Sequence, residues 1–165
     1  MAKDVIHRVL EQWRAARPEL DFEAMGVIGR LARVAQLGRS RIEERLADFD
    51  LTVGDFDVLA SLRRAGPPFT LTPTQLYSAL LLSSGTMTHR IDRLAERGLV
   101  ERLPDPSDRR GVRVRLTDEG RARVDLAVEA HLVRERDVLA ALSTDERRAL
   151  DRLLGKLLRS LDESG

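Results

Sequence analysis

The stretch from Thr72 to Thr117 constrains this chain most, because two helical patterns and a basic alternating pattern follow one another there with almost no spacer. Thr72-Pro73-Thr74-Gln75 supplies a Thr cap, a Pro at the first helical position and a Gln at the third, which starts a helix expected to reach Leu82. Ser83, Ser84 and Gly85 interrupt the apolar run Leu80-Leu81-Leu82. A second helix then sets Met87, Ile91, Leu94 and Ala95 on one face and stops at Gly98. From Leu99 to Leu103 and again from Val112 to Leu116, apolar and polar residues alternate with period two. That pattern predicts a hairpin whose tip, Pro104 to Gly111, carries Arg109 and Arg110.

Helix, short break, helix and hairpin in this order predict a winged helix-turn-helix, whose second helix enters the major groove of DNA. At about 100° per residue the apolar stripe turns Thr86, His89 and Arg93 away from the core and toward base edges. Ser84 and Thr88 join them as DNA-binding candidates. In the hairpin Arg109, Arg110 and Arg113 suit phosphates or a narrow minor groove, because a guanidinium is permanently charged and forks its donors. Asp108 is placed to brace one of the tip arginines. The competing reading makes these elements plain scaffold with a solvated basic strand. Charge placement favours DNA: the chain carries only +1, yet residues 83–115 carry +3 and the remainder −2.

With 165 residues and 42% hydrophobic content, the chain can bury one good core. The expected fold class is mainly α with a small β-wing. N-terminal helices (residues 1–50) and C-terminal helices (118–165) flank the DNA-binding head (51–117) in one compact unit. Cysteine is absent, which excludes disulfides and thiol chemistry within the chain. No apolar run approaches the roughly 18 residues of a membrane span, and the opening Met-Ala-Lys-Asp lacks a signal peptide's apolar core. The expectation is a cytoplasmic protein with no membrane association. Enzymatic readings find no support: there is no phosphate-cradling Gly loop, no Gly-x-Ser-x-Gly and no His pair at metal-ligand spacing. No cofactor, metal or catalytic residue is expected.

Three helices are predicted ahead of the head. They run from Asp4 to Ala16 with Trp13 on its apolar face, from Phe22 to Ala47, and from Thr52 to about Gly66, with Asp55 in a capping arrangement. Phe69-Thr70-Leu71 can add a third strand to the wing. Behind the head Thr117 caps a helix to about Leu142, and Ser143-Thr144-Asp145-Glu146 is a capping box for a last helix. Leu150, Leu153, Leu154, Leu157, Leu158 and Leu161 stripe that last helix. Such a face at a chain end suits a two-fold dimer, which sets two recognition helices about 34 Å apart on a palindromic site.

The chain resembles the MarR family of bacterial transcription regulators. The carrying residues are Leu76 to Leu82, Ser84-Gly85-Thr86-Met87-Thr88, Ile91-Asp92-Arg93-Leu94, Gly98-Leu99-Val100 and the run from Asp105 to Thr117. The resemblance implies a homodimeric repressor that binds palindromic DNA and is released by a small anionic ligand. A narrower resemblance, to the urate-responsive PecS-type subgroup, implies a ligand site at Trp13, Asp57, Arg90 and Arg102. An effector of aconitate-like or phenolic type is the alternative within this class. In a different class stands a helical protein-interaction module without DNA binding.

The residues give this ligand site a chemical basis of its own. Asp57 lies among Val53, Phe56, Val58, Leu59 and Leu62 in a helix apolar nearly all round, so its carboxylate needs a partner, for which Arg90 is suited. A planar monoanion offers acceptors to Arg90 and Arg102, a face to Trp13 and N–H edges to a carboxylate. Plainer roles compete: Trp13 as dimer core, Asp57 and Arg90 as a structural ion pair, Arg102 as a phosphate contact.

Overall fold

Thr52 and Asp55 start the helix on which the site is built. The Thr52 hydroxyl accepts the Asp55 N–H at 3.1 Å, and the Asp55 carboxylate accepts the Thr52 N–H at 3.1 Å. This reciprocal cap satisfies two donors that a helix start otherwise leaves orphaned. In the computed structural model, which describes residues 3–80, 84–106 and 108–163 with side chains except at 84–86, 109 and 110, the elements follow the expected order. They are α1 (Val5–Ala16), α2 (Glu23–Ala47), α3 (Val53–Arg64), β1 (Thr70–Leu71), α4 (Pro73–Leu80), α5 (Ser84–Glu96), β2 (Val100–Asp105), β3 (Asp108–Leu116), α6 (Asp118–Val138) and α7 (Thr144–Asp162). The fold is mainly helical with one small antiparallel sheet of order β1-β3-β2.

Contacts gather into two units, Met1–Arg41 and Ile42–Gly165, so the division falls at residue 41, within α2, whereas the sequence suggests boundaries at 50 and 117. In the first unit Asp4 caps α1 by accepting the His7 N–H at 2.7 Å, and its carboxylate also takes Arg30 Nε at 2.9 Å. Leu10 and Phe22 are buried, and Trp13 stacks on Phe22 with ring centroids 6.0 Å apart. Val27, Ile28, Val34 and Leu37 of α2 remain exposed.

The second unit holds the main core. Leu46, Leu59 and Leu62 meet Leu76 of α4, Met87, Ile91 and Leu94 of α5, Leu99 and Val114 of the wing and Val124 of α6, all essentially inaccessible to solvent. Gly98 has φ of 69°, a left-handed turn that glycine makes without strain, and it ends α5 where the pattern predicts. In the hairpin Glu101 stands opposite Arg115, and Arg115 Nε donates to Glu101 at 2.7 Å, a cross-strand pair of opposite charge. The Thr117 hydroxyl accepts the Gly120 N–H at 3.0 Å and donates to the Gly98 carbonyl at 2.7 Å, tying the start of α6 to the end of α5.

Several boundaries differ from the sequence reading. Ser84 and Gly85, expected in the break, already belong to α5. Leu81, Leu82 and Ser83 lie outside the described residues. The strands extend to Asp105 and from Asp108, so the turn is tighter than the expected span from Pro104 to Gly111, with a register irregularity at Pro104/Asp105. The helix α6 ends at Val138 rather than Leu142. Among the described residues no helix is long and apolar enough to cross a membrane, and no group of His, Asp or Glu is arranged to hold a metal ion.

Candidate nucleic-acid interface and effector site

Arg90 and Arg93 on α5 and Arg97, one residue past its end, follow one another at intervals of three and four, which places them along one flank. That flank faces the first turn of α3. The Arg90 guanidinium lies against the Cα of Gly54, where a Cβ would come within 2.7 Å of both Nε and Nη1. Asp57 follows Gly54 by three residues, so it stands one turn further along the same side of α3. It is half-buried and engaged in an interaction of its own.

The buried carboxylate of α3 is Asp55, 1% exposed, and not Asp57 as the sequence reading expects. Its Oδ1 accepts from Arg93 Nη2 at 2.5 Å, while Oδ2 accepts from the Thr52 hydroxyl at 2.8 Å and stands 3.7 Å from Arg97 Nη1. Burial alone pushes this carboxyl up, but hydrogen bonds from Arg93 and Thr52 outweigh it and hold the group below the ordinary carboxylate value. Arg97 Nη2 reaches Asp50, donating to its carboxylate at 2.8 Å and to its carbonyl. These groups line an open cleft of about 410 Å³ between the α2–α3 turn and α5.

Arg93, expected as an outward base reader, here pairs with Asp55 while its side chain stays 39% exposed, and its Nε is buried with no hydrogen-bond partner among the described residues. A helical wheel shows only that Arg93 leaves the core stripe; whether it leaves toward DNA or toward α3 depends on a neighbour 38 residues away. Spacing held a signal that the sequence reading missed, namely the arginines at 93 and 97 matched to acids at 50 and 55.

His89 and Thr88 are exposed on α5. Ser84 and Thr86 have their backbone in its first turn, and their side chains, like those of Arg109 and Arg110, lie outside the described ones. Arg113 Nη2 pairs with Asp105 at 3.1 Å across the wing, so it braces the hairpin in addition to carrying charge. Arg102 of β2 reaches back to α5, where its Nη2 donates to Asp92 at 2.5 Å. It lines a second cleft, of about 400 Å³, together with Thr72, Thr88 and Asp105. Trp13 belongs to the first unit, where the residue is 44% exposed and its ring stacks on Phe22.

A helix presented by a preceding helix and flanked by a basic hairpin defines the winged helix-turn-helix class of DNA-binding regulators. The MarR family profile matches residues 49–111. The chain is 41% identical over 153 residues to the HTH-type transcriptional regulator PecS of Dickeya dadantii (strain 3937), spanning 93% of this chain and 92% of that protein. Among solved structures it is similar to a mutant MarR from E. coli complexed with operator DNA, with TM-score 0.73, 35% identity, and coverage of 83% of this chain and 97% of that one. It is also similar to Bordetella bronchiseptica BpsR, whose DNA binding is regulated by 6-hydroxynicotinic acid, with TM-score 0.70, 31% identity, and coverage of 79% and 97%. The chain belongs to the MarR family: it is a DNA-binding transcription regulator and not an enzyme.

Proposed function

We propose that this regulator is a homodimeric repressor of a palindromic operator, released by a small planar anion of which urate is the best representative. The observation that carries this reading is Arg90 of α5 packed against Gly54 in the first turn of α3. A guanidinium lodged between the recognition helix and Gly54, with Asp57 one turn away, makes the seating of α5 sensitive to anything that claims Arg90. An anion with in-plane acceptors draws Arg90, and Arg102 from across its own pair with Asp92. Its N–H edge suits the Asp57 carboxylate. Release follows only to the extent that the anion binds the displaced arrangement of α5 more tightly than the DNA-competent one.

Ser84, Thr86, Thr88, His89, Arg109, Arg110 and Arg113 are the DNA contacts in this reading, with exposed His89 at the bases and the wing arginines at phosphates. The terminal helices supply the dimer. Along α7 no residue is buried, and Leu153, Leu158 and Leu161 are 61%, 61% and 71% exposed, a face that a second copy would cover. The regulation of BpsR by 6-hydroxynicotinic acid favours a heteroaromatic acid as the second candidate effector.

The test is fluorescence anisotropy of a labelled duplex from the region upstream of the chain's own coding sequence, titrated first with protein and then with urate, xanthine or 6-hydroxynicotinic acid. Selective release by urate supports the reading. Binding indifferent to all three leaves the DNA-binding regulator without this effector class.

A further inference from the structure

We propose that Asp55 is a positioning residue for operator recognition: through Arg93 and Arg97 it holds the recognition helix at its DNA-competent angle, and Arg93 serves DNA binding from behind, without reading a base. This rests on the chain's DNA binding and is independent of which effector releases it.

The two oxygens of Asp55 divide the work. Oδ2 is spent on the Thr52 cap, which fixes the carboxylate to the first turn of α3. Oδ1 faces α5 and receives Arg93 at 2.5 Å. A carboxylate 1% exposed and pinned by its own helix cap has little rotational freedom, so the guanidinium it holds is held in direction as well as in distance. Arg97, one turn beyond Arg93 and just past the end of α5, extends the grip to the loop before α3, where it donates to both the carboxylate and the carbonyl of Asp50. Asp50 has φ of 55°, a left-handed conformation that costs a non-glycine residue energy and persists where surroundings over-determine it. Here those surroundings are the hydrogen bonds from Asp50 N–H to the Ala47 carbonyl and from Leu51 N–H to the Leu46 carbonyl, together with the Arg97 contacts. Asp50 and Asp55 on the α3 side balance Arg93 and Arg97 in charge, which suits a clamp and not an anion site.

The clamp is distinct from the Arg90 contact. Arg90 packs against Gly54, whereas Arg93 and Arg97 pair with Asp55 and Asp50. Removing Arg90 then tilts α5 about the Asp55 anchor instead of detaching it.

The experiment first selects an operator from a random duplex pool with wild-type protein, then measures its affinity for wild type, Asp55→Asn, Arg93→Gln, Arg93→Lys and the Asp55→Asn/Arg93→Gln double variant. Each is repeated on a scan of single base-pair substitutions and on a non-specific duplex, with thermal melting of every variant. Asp55→Asn and Arg93→Gln are each expected to lose about tenfold or more in operator affinity, the double variant little beyond that, with non-specific binding unchanged. Arg93→Lys, which keeps one donor for Oδ1, recovers part of the loss. The Arg93→Gln penalty is expected to be the same at every substituted base pair. A penalty that vanishes at one base pair makes Arg93 a base reader and overturns the proposal. Retention of operator affinity by Asp55→Asn overturns it as well. Should Asp55→Asn fail to fold, Arg93→Gln and Arg97→Gln, which leave the Thr52 cap intact, decide by the same criteria. Failure of the wild type to select any duplex would remove the DNA-binding reading and this inference together, a result distinct from indifference of the variants.

Discussion

Arg90 occupies the space that a side chain on Gly54 would take, since a Cβ there would stand 2.7 Å from Nε and Nη1 of the guanidinium. The recognition helix thus leans on α3 through an absence, and filling it separates fold from response. Gly54→Ala adds up to about 1 kcal/mol of helix propensity, and the end of a flexible Arg can move aside. We expect an unchanged or slightly raised melting temperature together with altered operator affinity and blunted effector release. Calorimetry and DNA anisotropy check the two halves, and normal release in a stable Gly54→Ala variant would count against Arg90 as the switch.

Asp55 sets an acid limb on stability. Its folded pKa lies below the ordinary value, so its contribution is complete above the unfolded value of about 3.9 and fades as pH falls through the folded one. Urea midpoints from pH 7 down to about 3 are expected to fall more steeply for wild type than for Asp55→Asn below about pH 4. At neutral pH the variant is expected to be less stable by about 1–3 kcal/mol, the range for a buried polar partner lost. Parallel profiles for the two proteins would contradict the assignment.

Arg102 and Asp92 form an exposed pair, 40% and 51% accessible, so its loss costs little stability, about 0–1 kcal/mol. Under the proposed function Arg102→Gln is expected to melt near wild type and bind the operator, yet to need roughly tenfold more urate for release, a loss equivalent to about 1.4 kcal/mol. The dose–response of DNA release measures this directly.

Leu158 is 61% exposed on a helix with no buried residue. Leu158→Glu is therefore expected to leave the folded protomer within about 0.5 kcal/mol of wild type while shifting sedimentation toward monomer and weakening operator binding. An unchanged mass for this variant would place the dimer contact elsewhere.

Much of the fold was legible because it is locally encoded. Thr72 with Gln75, Thr117 and Ser143 with Glu146 cap their helices as their spacing predicts, since a cap is a contact over three residues. The third strand at Thr70-Leu71 follows the same logic of alternation and pairs with β3 at Arg115 and Val114. The candidate site was legible in part. Arg90 and Asp57 were found through the family resemblance, and the structure sets Arg90 against the turn of α3 that leads to Asp57. Asp55 was read as a helix cap alone, because nothing local to Thr52 reveals that its second oxygen faces another helix.

The sequence by itself determined where helices start and stop, which residues form the core stripe and that the molecule has a winged head, because capping, periodicity and turn chemistry act over a few neighbouring residues. Only the tertiary structure decided which arginine of α5 and the turn after it meets which acid. Arg93 and Asp55 are 38 residues apart, Arg97 and Asp50 47, and a helical flank says that a side chain leaves the core without saying what lies opposite. That choice is made by the packing of Met87, Ile91 and Leu94 against Leu59 and Leu62, which brings the helices together and leaves the carboxylate and the guanidiniums to settle the angle.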